Sequence, residues 1–212
     1  MKKKIKYYLW KFGILNNIKP PQLYKEKLIR KYGKDFGINE LIETGTYLGE
    51  TINALKNDFI KIVSVELDKE LVANARWKFR YDYNIKIYGG DSGNVLKEIL
   101  LNVTKPSLFW LDAHYSEGKT ARGKLDTPIV KELKLIFQNS KNHVVLIDDM
   151  DNFGIFNSIK EDYPSQKEIK ELMPKDSYFY IKNNIGRIFQ KRFSKGFVKS
   201  EESEKHKEVN DK

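Results

Sequence analysis

The sequence predicts an α/β protein built on a doubly wound sheet of about seven strands, mostly parallel, with helices on both faces. Five short apolar segments, rich in β-branched or aromatic residues, alternate with amphipathic segments of helical length, which is typical of consecutive βαβ units. Near the end of the chain, residues 183–186 (NNIG) lie between two further strand-like segments. They predict an antiparallel C-terminal hairpin at one edge of the sheet.

The five predicted parallel strands are mainly apolar, as expected for strands covered on both faces. They comprise residues 40–43, 61–66, 85–88, 107–112 and 143–148, and the hairpin strands comprise residues 177–182 and 187–191. The fifth strand, HVVLID, is almost wholly apolar. The order of these segments predicts right-handed crossovers and a buried sheet core.

The predicted helices follow from start and stop signals. Pro20-Pro21 begins one helix, and Gly33 is expected to end it. Thr127-Pro128 places a capping residue and a proline at the start of another. The remaining helices are predicted at residues 49–57, 69–83, 92–101 and 166–172.

The net charge of +10 is concentrated at the N-terminus of the 212-residue chain. Residues 1–34 contain eleven Lys or Arg and one acid, Glu26, so the rest of the chain is neutral in sum. We therefore predict a basic helical extension at residues 1–37 and the α/β domain at residues 38–193. A disordered charged tail is predicted at residues 194–212, where apolar residues are scarce.

Within the extension, Ile5, Tyr8, Leu9 and Phe12 share helical spacing, with lysines between them. Such a helix suits peripheral contact with an anionic membrane surface or a polyanionic partner. Packing on the domain with solvated lysines is the alternative. No apolar run reaches the roughly 20 residues of a membrane span, and cysteine is absent, which excludes disulfides and thiolate chemistry. A cytoplasmic protein is predicted.

Polar and glycine residues follow the first three strands, where an open α/β sheet binds its ligands. Gly45 and Gly49 frame a turn after the first strand, which packing alone would also explain. Glu66 ends the second strand and is suited to ribose hydroxyls. Asp91, after the third strand, is suited to an adenine amino group, although it or Ser92 would equally serve as a helix cap.

Glu43-x-Gly45-x-x-x-Gly49, the acid Glu66 and the step Gly90-Asp91 resemble the cofactor motifs of class I S-adenosylmethionine-dependent methyltransferases, which have a Rossmann-like fold. The similarity covers roughly residues 38–192. It implies that the turn faces the methionine part, Glu66 the ribose and Asp91 the adenine. The cofactor-binding residues implied are Glu43, Gly45, Thr46, Tyr47, Gly49, Glu66, Asp91, Ser92 and Asp112. A nicotinamide dehydrogenase is disfavoured because bulky Thr46-Tyr47 stand where its glycine-rich turn makes room for pyrophosphate.

Three aspartates end the fourth and fifth strands: Asp112, Asp148 and Asp149. Clustered carboxylates without sulfur ligands suit Mg²⁺, or Mn²⁺ or Ca²⁺, and the pattern resembles the metal-dependent O-methyltransferases, the Asp-Asp version being closer to the sugar-modifying members. A metal there would lower the pKa of a substrate hydroxyl and orient its oxygen. Helix capping or loop solvation is the alternative.

The connection at residues 113–125 is unusually long for a βα loop. His114 lies two residues beyond Asp112 and is the candidate general base, with Asp112 as its catalytic neighbour. Lys119 and Arg122 are suited to an anionic substrate group. A structural histidine and solvated charges are the alternatives.

The function predicted is methyl transfer from S-adenosylmethionine to a hydroxyl of a sugar or other small polar metabolite. An RNA or protein methyltransferase that docks through its basic N-terminus is the first alternative, and a non-catalytic fold relative is the second. The fourth strand does not end in Asn/Asp-Pro-Pro-aromatic, which weighs against methylation of base amino groups. The sequence leaves the oligomeric state open.

Overall fold

The computed structural model describes residues 2–15, 19–112, 127–139, 141–154 and 163–191. These residues contain seven strands in one sheet, in the order β3-β2-β1-β4-β5-β7-β6. The strands are β1 Glu40–Thr44, β2 Lys61–Glu66, β3 Ile85–Gly89, β4 Leu108–Leu111, β5 Val144–Ile147, β6 Ser177–Lys182 and β7 Ile185–Gln190.

The sheet is parallel from β1 to β5 and antiparallel where β7 joins β5 and β6. This confirms the predicted class, a mostly parallel Rossmann-like sheet with a C-terminal hairpin at its edge. The strand order reverses between β1 and β4, which is where such sheets bind ligands. In register, Thr44 lies opposite Leu111, and Leu111 lies opposite Ile147, so these three strands end level with one another.

Helices cover both faces of the sheet. They are α1 Lys2–Lys11, α2 Gln22–Asp35, α3 Glu50–Leu55, α4 Lys69–Lys78, α5 Ser92–Leu101, α6 Ile129–Gln138 and α7 Gln166–Leu172. Residues of α2, α3 and α4 form one apolar core with the sheet, and residues of α5, α6 and α7 form a second core. Because side chains on both faces of the sheet are buried, the central strands β4 and β5 consist of apolar residues throughout.

Helix α2 continues past Gly33, where the sequence predicted its end. Gly33 serves packing instead, because a Cβ at this position would stand 2.8 Å from Cζ of Phe59. The helix ends at Asp35, and Gly37 follows with φ of 62°. Helix α4 also differs from its predicted bounds, because it ends at Lys78 rather than at residue 83.

A two-residue turn closes the hairpin. Asn183 and Asn184 have φ of 50° and 57°, so β7 begins at Ile185, two residues earlier than predicted. A tight turn with two left-handed residues matches the twist of the flanking strands. The predicted hairpin is therefore correct, and the longer predicted loop is not.

The two N-terminal helices differ in their burial. Helix α2 contributes Leu28, Ile29 and Tyr32 to the core, whereas α1 has no buried residue. Helix α1 is attached through Trp10, whose ring lies 4.7 Å from that of Tyr24. No helix in the described ranges is long and apolar enough to cross a membrane.

Candidate active site

The turn after β1 is strained and tightly held. Gly45, Tyr47 and Gly49 all have positive φ, at 90°, 46° and 65°. Such values cost a non-glycine residue about 1–2 kcal/mol, so the turn needs support from its neighbours. The amide N–H groups of Gly45 and Thr46 supply it by donating to the carbonyl oxygen of Val65 at 2.9 and 3.2 Å.

A buried polar chain lies beneath this turn. Ser64 donates its hydroxyl to Oε2 of Glu43 at 2.7 Å, and Oγ1 of Thr46 lies 2.7 Å from Oγ of Ser64. The Ser64 hydroxyl thus bridges the Glu43 carboxyl and the Thr46 hydroxyl. The chain thus ties the turn to the centre of the sheet.

Burial raises the pKa of Glu43 to about 8, and the negative charge of Asp112 acts in the same direction. At neutral pH the Glu43 carboxyl is therefore mostly protonated. Its contacts include Ser64 and Thr51, so it supports the turn from below. Its predicted role towards a cofactor stays a prediction.

Glu66 ends β2 with both carboxylate oxygens held by backbone. The N–H of Tyr47 donates to Oε2 at 2.7 Å, and the N–H of Asp68 donates to Oε1 at 2.9 Å. A carboxylate offers about four acceptor positions, so these bonds fix its orientation and leave acceptor capacity for a diol. The hydrogen bond from Tyr47 thereby connects the turn after β1 to the end of β2.

Asp91 occupies the cap position of α5, but its side chain makes no capping hydrogen bond. Its Oδ1 lies 3.1 Å from where a Cβ of Gly93 would stand, so the glycine leaves room for the carboxylate. Ser92 is buried in the first turn of the helix. The structure therefore does not support a capping role for the Asp91 side chain, and its contact with adenine remains a prediction.

The three predicted metal-binding aspartates do lie at adjacent strand ends. The N–H of Asp112 donates to the carbonyl of Thr44 at 3.0 Å, and the N–H of Asp148 donates to that of Leu111 at 3.0 Å. Asp149 follows with φ of 50°. Asp148 is fully buried, whereas Asp112 and Asp149 are half-buried.

Two lysines pair with carboxylates of this cluster: Lys19, which precedes α2, and Lys25, which lies in its first turn. The ammonium of Lys25 is hydrogen-bonded to Oδ2 of Asp148, and that of Lys19 lies 3.0 Å from Oδ2 of Asp149. Burial would lower the pKa of Lys25, but the negative charges of Asp148 and Asp112 outweigh it and raise the pKa. Lys25 therefore remains a cation.

The described residues do not fit a divalent ion at this place. They contain no group of three His, Cys, Asp or Glu side chains that could hold a metal ion. The physical reason lies in the preceding contacts, because Lys25 and Lys19 take up carboxylate oxygens of Asp148 and Asp149. Asp112, Asp148 and Asp149 thus lie at adjacent strand ends as predicted, but two of the three carboxylates are paired with lysines.

The candidate base His114, with Lys119 and Arg122, lies outside the described residues. Sequence reasoning missed Lys25 and Ser64. A signal existed for each, since a buried aspartate needs a cation and a serine inside the apolar strand KIVSVE needs a polar partner. The partner's identity depends on tertiary contacts.

A cavity of about 310 Å³ lies at the opposite end of the strands, with Ile38, Glu40, Lys61 and Lys105 among its lining residues. In an open α/β sheet the ligand binds beyond the carboxyl ends of the strands, so this cavity does not belong to the site described above.

Comparison with solved structures shows the fold. A Staphylococcus aureus protein assigned as a caffeoyl-CoA O-methyltransferase aligns with a TM-score of 0.57 and 12% identity, over 86% of this chain and 90% of that one. An SAH-bound methyltransferase from Podospora anserina aligns with a TM-score of 0.55 and 14% identity, over 90% and 88%.

A third similar structure is the O-methyltransferase TomG from Streptomyces achromogenes, involved in tomaymycin synthesis and solved with SAM. Its TM-score is 0.55 and its identity 12%, over 88% of each chain. No family model and no curated protein matches the sequence. The chain thus shares the fold of these methyltransferases across nearly their whole length.

Proposed function

We propose that the protein is a methyltransferase that uses S-adenosylmethionine and methylates a hydroxyl group. The observation that carries the proposal is the fixed orientation of the Glu66 carboxylate at the end of β2. Its carboxylate is oriented by the amides of Tyr47 and Asp68, beside the strained turn at Gly45, and retains acceptor capacity for a ribose diol. Asp91 is the proposed adenine contact, and the turn from Gly45 to Gly49 is the proposed methionine contact.

The comparisons support this assignment of the ligand. Proteins of the same fold were solved with SAH or SAM, among them TomG and the O-methyltransferase of Bacillus cereus. Their names also favour oxygen as the methylated atom. We propose a sugar or another small polar metabolite as the acceptor, with Lys119 and Arg122 available for an anionic group on it.

The cofactor supplies an electrophilic methyl group on sulfonium, and the protein must position an acceptor oxygen in line with it. Asp112 follows β4 directly beside the end of β1, which supports the proposal that it holds the acceptor hydroxyl next to the cofactor turn. His114 is the proposed general base that takes the hydroxyl proton.

The test is a panel of hydroxylated sugars, sugar phosphates and small metabolites, scored by release of S-adenosylhomocysteine and by mass spectrometry of the product. The variant Glu66→Gln should abolish turnover, and Glu70→Gln, an exposed carboxylate in α4, should not. A product methylated on nitrogen or carbon would contradict the proposed oxygen chemistry.

The basic N-terminus favours a second, additional role at an anionic membrane surface. Ile5 and Tyr8 on α1, and Phe12 just after its end, are exposed among lysines, and a helix with such a face suits the surface of an anionic membrane. Vesicles of anionic phospholipid should retain the wild-type chain more than the variant Phe12→Ser. Equal retention of both, with salt-sensitive RNA binding, would favour the RNA alternative instead.

A further inference from the structure

We propose that the ammonium group of Lys25 is the resident cation of the carboxylate cluster at the ends of β4 and β5, in the place that a divalent metal would take in a metal-dependent enzyme. The inference rests on the proposed function only in placing the acceptor at this cluster. The position of the cation itself follows from contacts within the chain.

The first support is the pairing of Lys25 with Asp148. Asp148 has no exposed side-chain surface, and Lys25 retains only 16%. Oδ2 of Asp148 accepts from Lys25, and Oδ1 accepts from the N–H of Asp149 at 2.9 Å. Each oxygen of Asp148 therefore accepts from a donor of the chain, and Oδ2 lies against a positive charge that would repel a metal ion.

The second support is the charge around the ammonium. Asp112 and Asp149 also lie close enough for their negative charges to act on Lys25. One cation among three carboxylates occupies the electrostatic position of a metal ion, and a buried carboxylate without such a cation is strongly destabilising. Lys19 further neutralises Asp149 and Asp151, at 3.0 and 3.5 Å.

The third support is the rigid attachment of Lys25. Leu28 and Ile29, one turn further along α2, are buried in the core. The preceding residue, Tyr24, accepts hydrogen bonds at its hydroxyl oxygen from Asn183 at 2.9 Å and from the buried Arg187 at 3.3 Å. Helix α2 is thus fixed to the hairpin on one side and to the core on the other.

In this place Lys25 would hold Asp148 and present a fixed positive charge to the acceptor oxygen. The ammonium is a point charge with three donors, so it can serve Asp148 and an acceptor oxygen together. A lysine cation and a metal ion at this cluster would respond differently to experiment. Chelators should leave the protein unchanged, and removal of Lys25 should create a demand for an external cation.

Metal binding by the purified full chain tests the proposal without cofactor or acceptor. Mn²⁺ titration followed by electron paramagnetic resonance should show no specific site in the wild type. Lys25→Ala should show a specific site that binds Mn²⁺ at least about tenfold more tightly than the residual non-specific binding of the wild type, and Asp148→Asn in that background should abolish the site. Lys27→Ala, an exposed lysine of the same helix, is the control and should behave as the wild type.

Two outcomes overturn the proposal: a stoichiometric Mn²⁺ site in the wild type that depends on Asp148, or no gain of Mn²⁺ binding in folded Lys25→Ala. Where Lys25→Ala fails to fold, Lys25→Met keeps the aliphatic stem and takes its place. Methyl transfer, once an acceptor is found, should be unaffected by EDTA. If the proposed function is wrong, the wild type should fail to bind S-adenosylhomocysteine, and that result is independent of the Mn²⁺ measurements.

Discussion

The backbone N–H of Tyr47 donates to Oε2 of Glu66 at 2.7 Å, which joins the turn after β1 to the end of β2. Tyr47 has φ of 46°, a conformation that is costly for a bulky residue. The carboxylate and the strained turn therefore position each other. This mutual support is typical of sites that must be formed before their ligand arrives.

Gly49 should be required for both its conformation and its lack of a side chain. A Cβ would stand 2.8 Å from the ring of Phe79, at φ of 65°. We expect Gly49→Ala to lower the free energy of unfolding by roughly 2–5 kcal/mol, combining backbone strain with overpacking. Chemical denaturation measures this.

Gly37→Ala provides the matched control for that change. Gly37 has nearly the same φ, 62°, but nothing lies within 4 Å of its added Cβ. It should cost only the conformational part, about 1–2 kcal/mol. Equal losses in the two variants would show that contact with Phe79 contributes nothing.

Asp91→Ala should weaken S-adenosylhomocysteine binding with little change in stability, because its side chain makes no capping hydrogen bond. Asp68→Ala is the control, since Oδ1 of Asp68 caps α4 by accepting from Glu70 and Leu71 at 2.8 and 2.9 Å. That variant should lose about 1 kcal/mol of stability. The reverse pattern in calorimetry and denaturation would return Asp91 to a structural role.

Much of this site was predictable from sequence because strand ends are marked by local signals. The apolar segments ending in Glu66, Asp112 and Asp148 predicted the strands, and parallel pairing required their ends to meet at one edge. The end of α2 was wrongly predicted at Gly33, because this glycine packs against Phe59, which is distant in the chain. Lys25 was invisible as a site residue for the same reason, since only the packing of α2 brings it to Asp148.

His143 should make the fold less stable in acid. Burial lowers its pKa to about 4, and its Nδ1 accepts from the N–H of Ser107 at 3.1 Å. Between pH 6.5 and 4 the unfolded chain binds the extra proton and the folded chain does not, so stability falls as pH falls. The loss should approach about 3 kcal/mol near pH 4.

The variant His143→Gln should lack this part of the pH dependence, whatever its stability at neutral pH. Urea denaturation of both proteins at several pH values between 4 and 7 gives the comparison. Parallel curves for the two proteins would show that His143 is protonated in the folded state as readily as in the unfolded state.

Glu43 should make the fold less stable as the pH rises, which is the opposite of the effect of His143. Its pKa is raised to about 8 by burial, so between pH 4.5 and 8 the folded chain holds a proton that the unfolded chain releases. Stability from this group is complete below pH 4.5 and is lost as pH rises through that window, by about 1.4 kcal/mol per pH unit at most. Glu43→Gln should flatten the curve there, and an unchanged slope would mean that Glu43 is ionised in the fold.

The central claim is that the carboxyl ends of β1, β2 and β3 bind S-adenosylmethionine, and titration calorimetry with S-adenosylhomocysteine tests it most directly. The wild-type chain should bind with one site per chain, with or without Mg²⁺, and Glu66→Ala should weaken binding by roughly a hundredfold through loss of two charge-assisted hydrogen bonds. Glu70→Ala should bind as the wild type. Absence of binding in the wild type, or equal affinity in Glu66→Ala, would contradict the account.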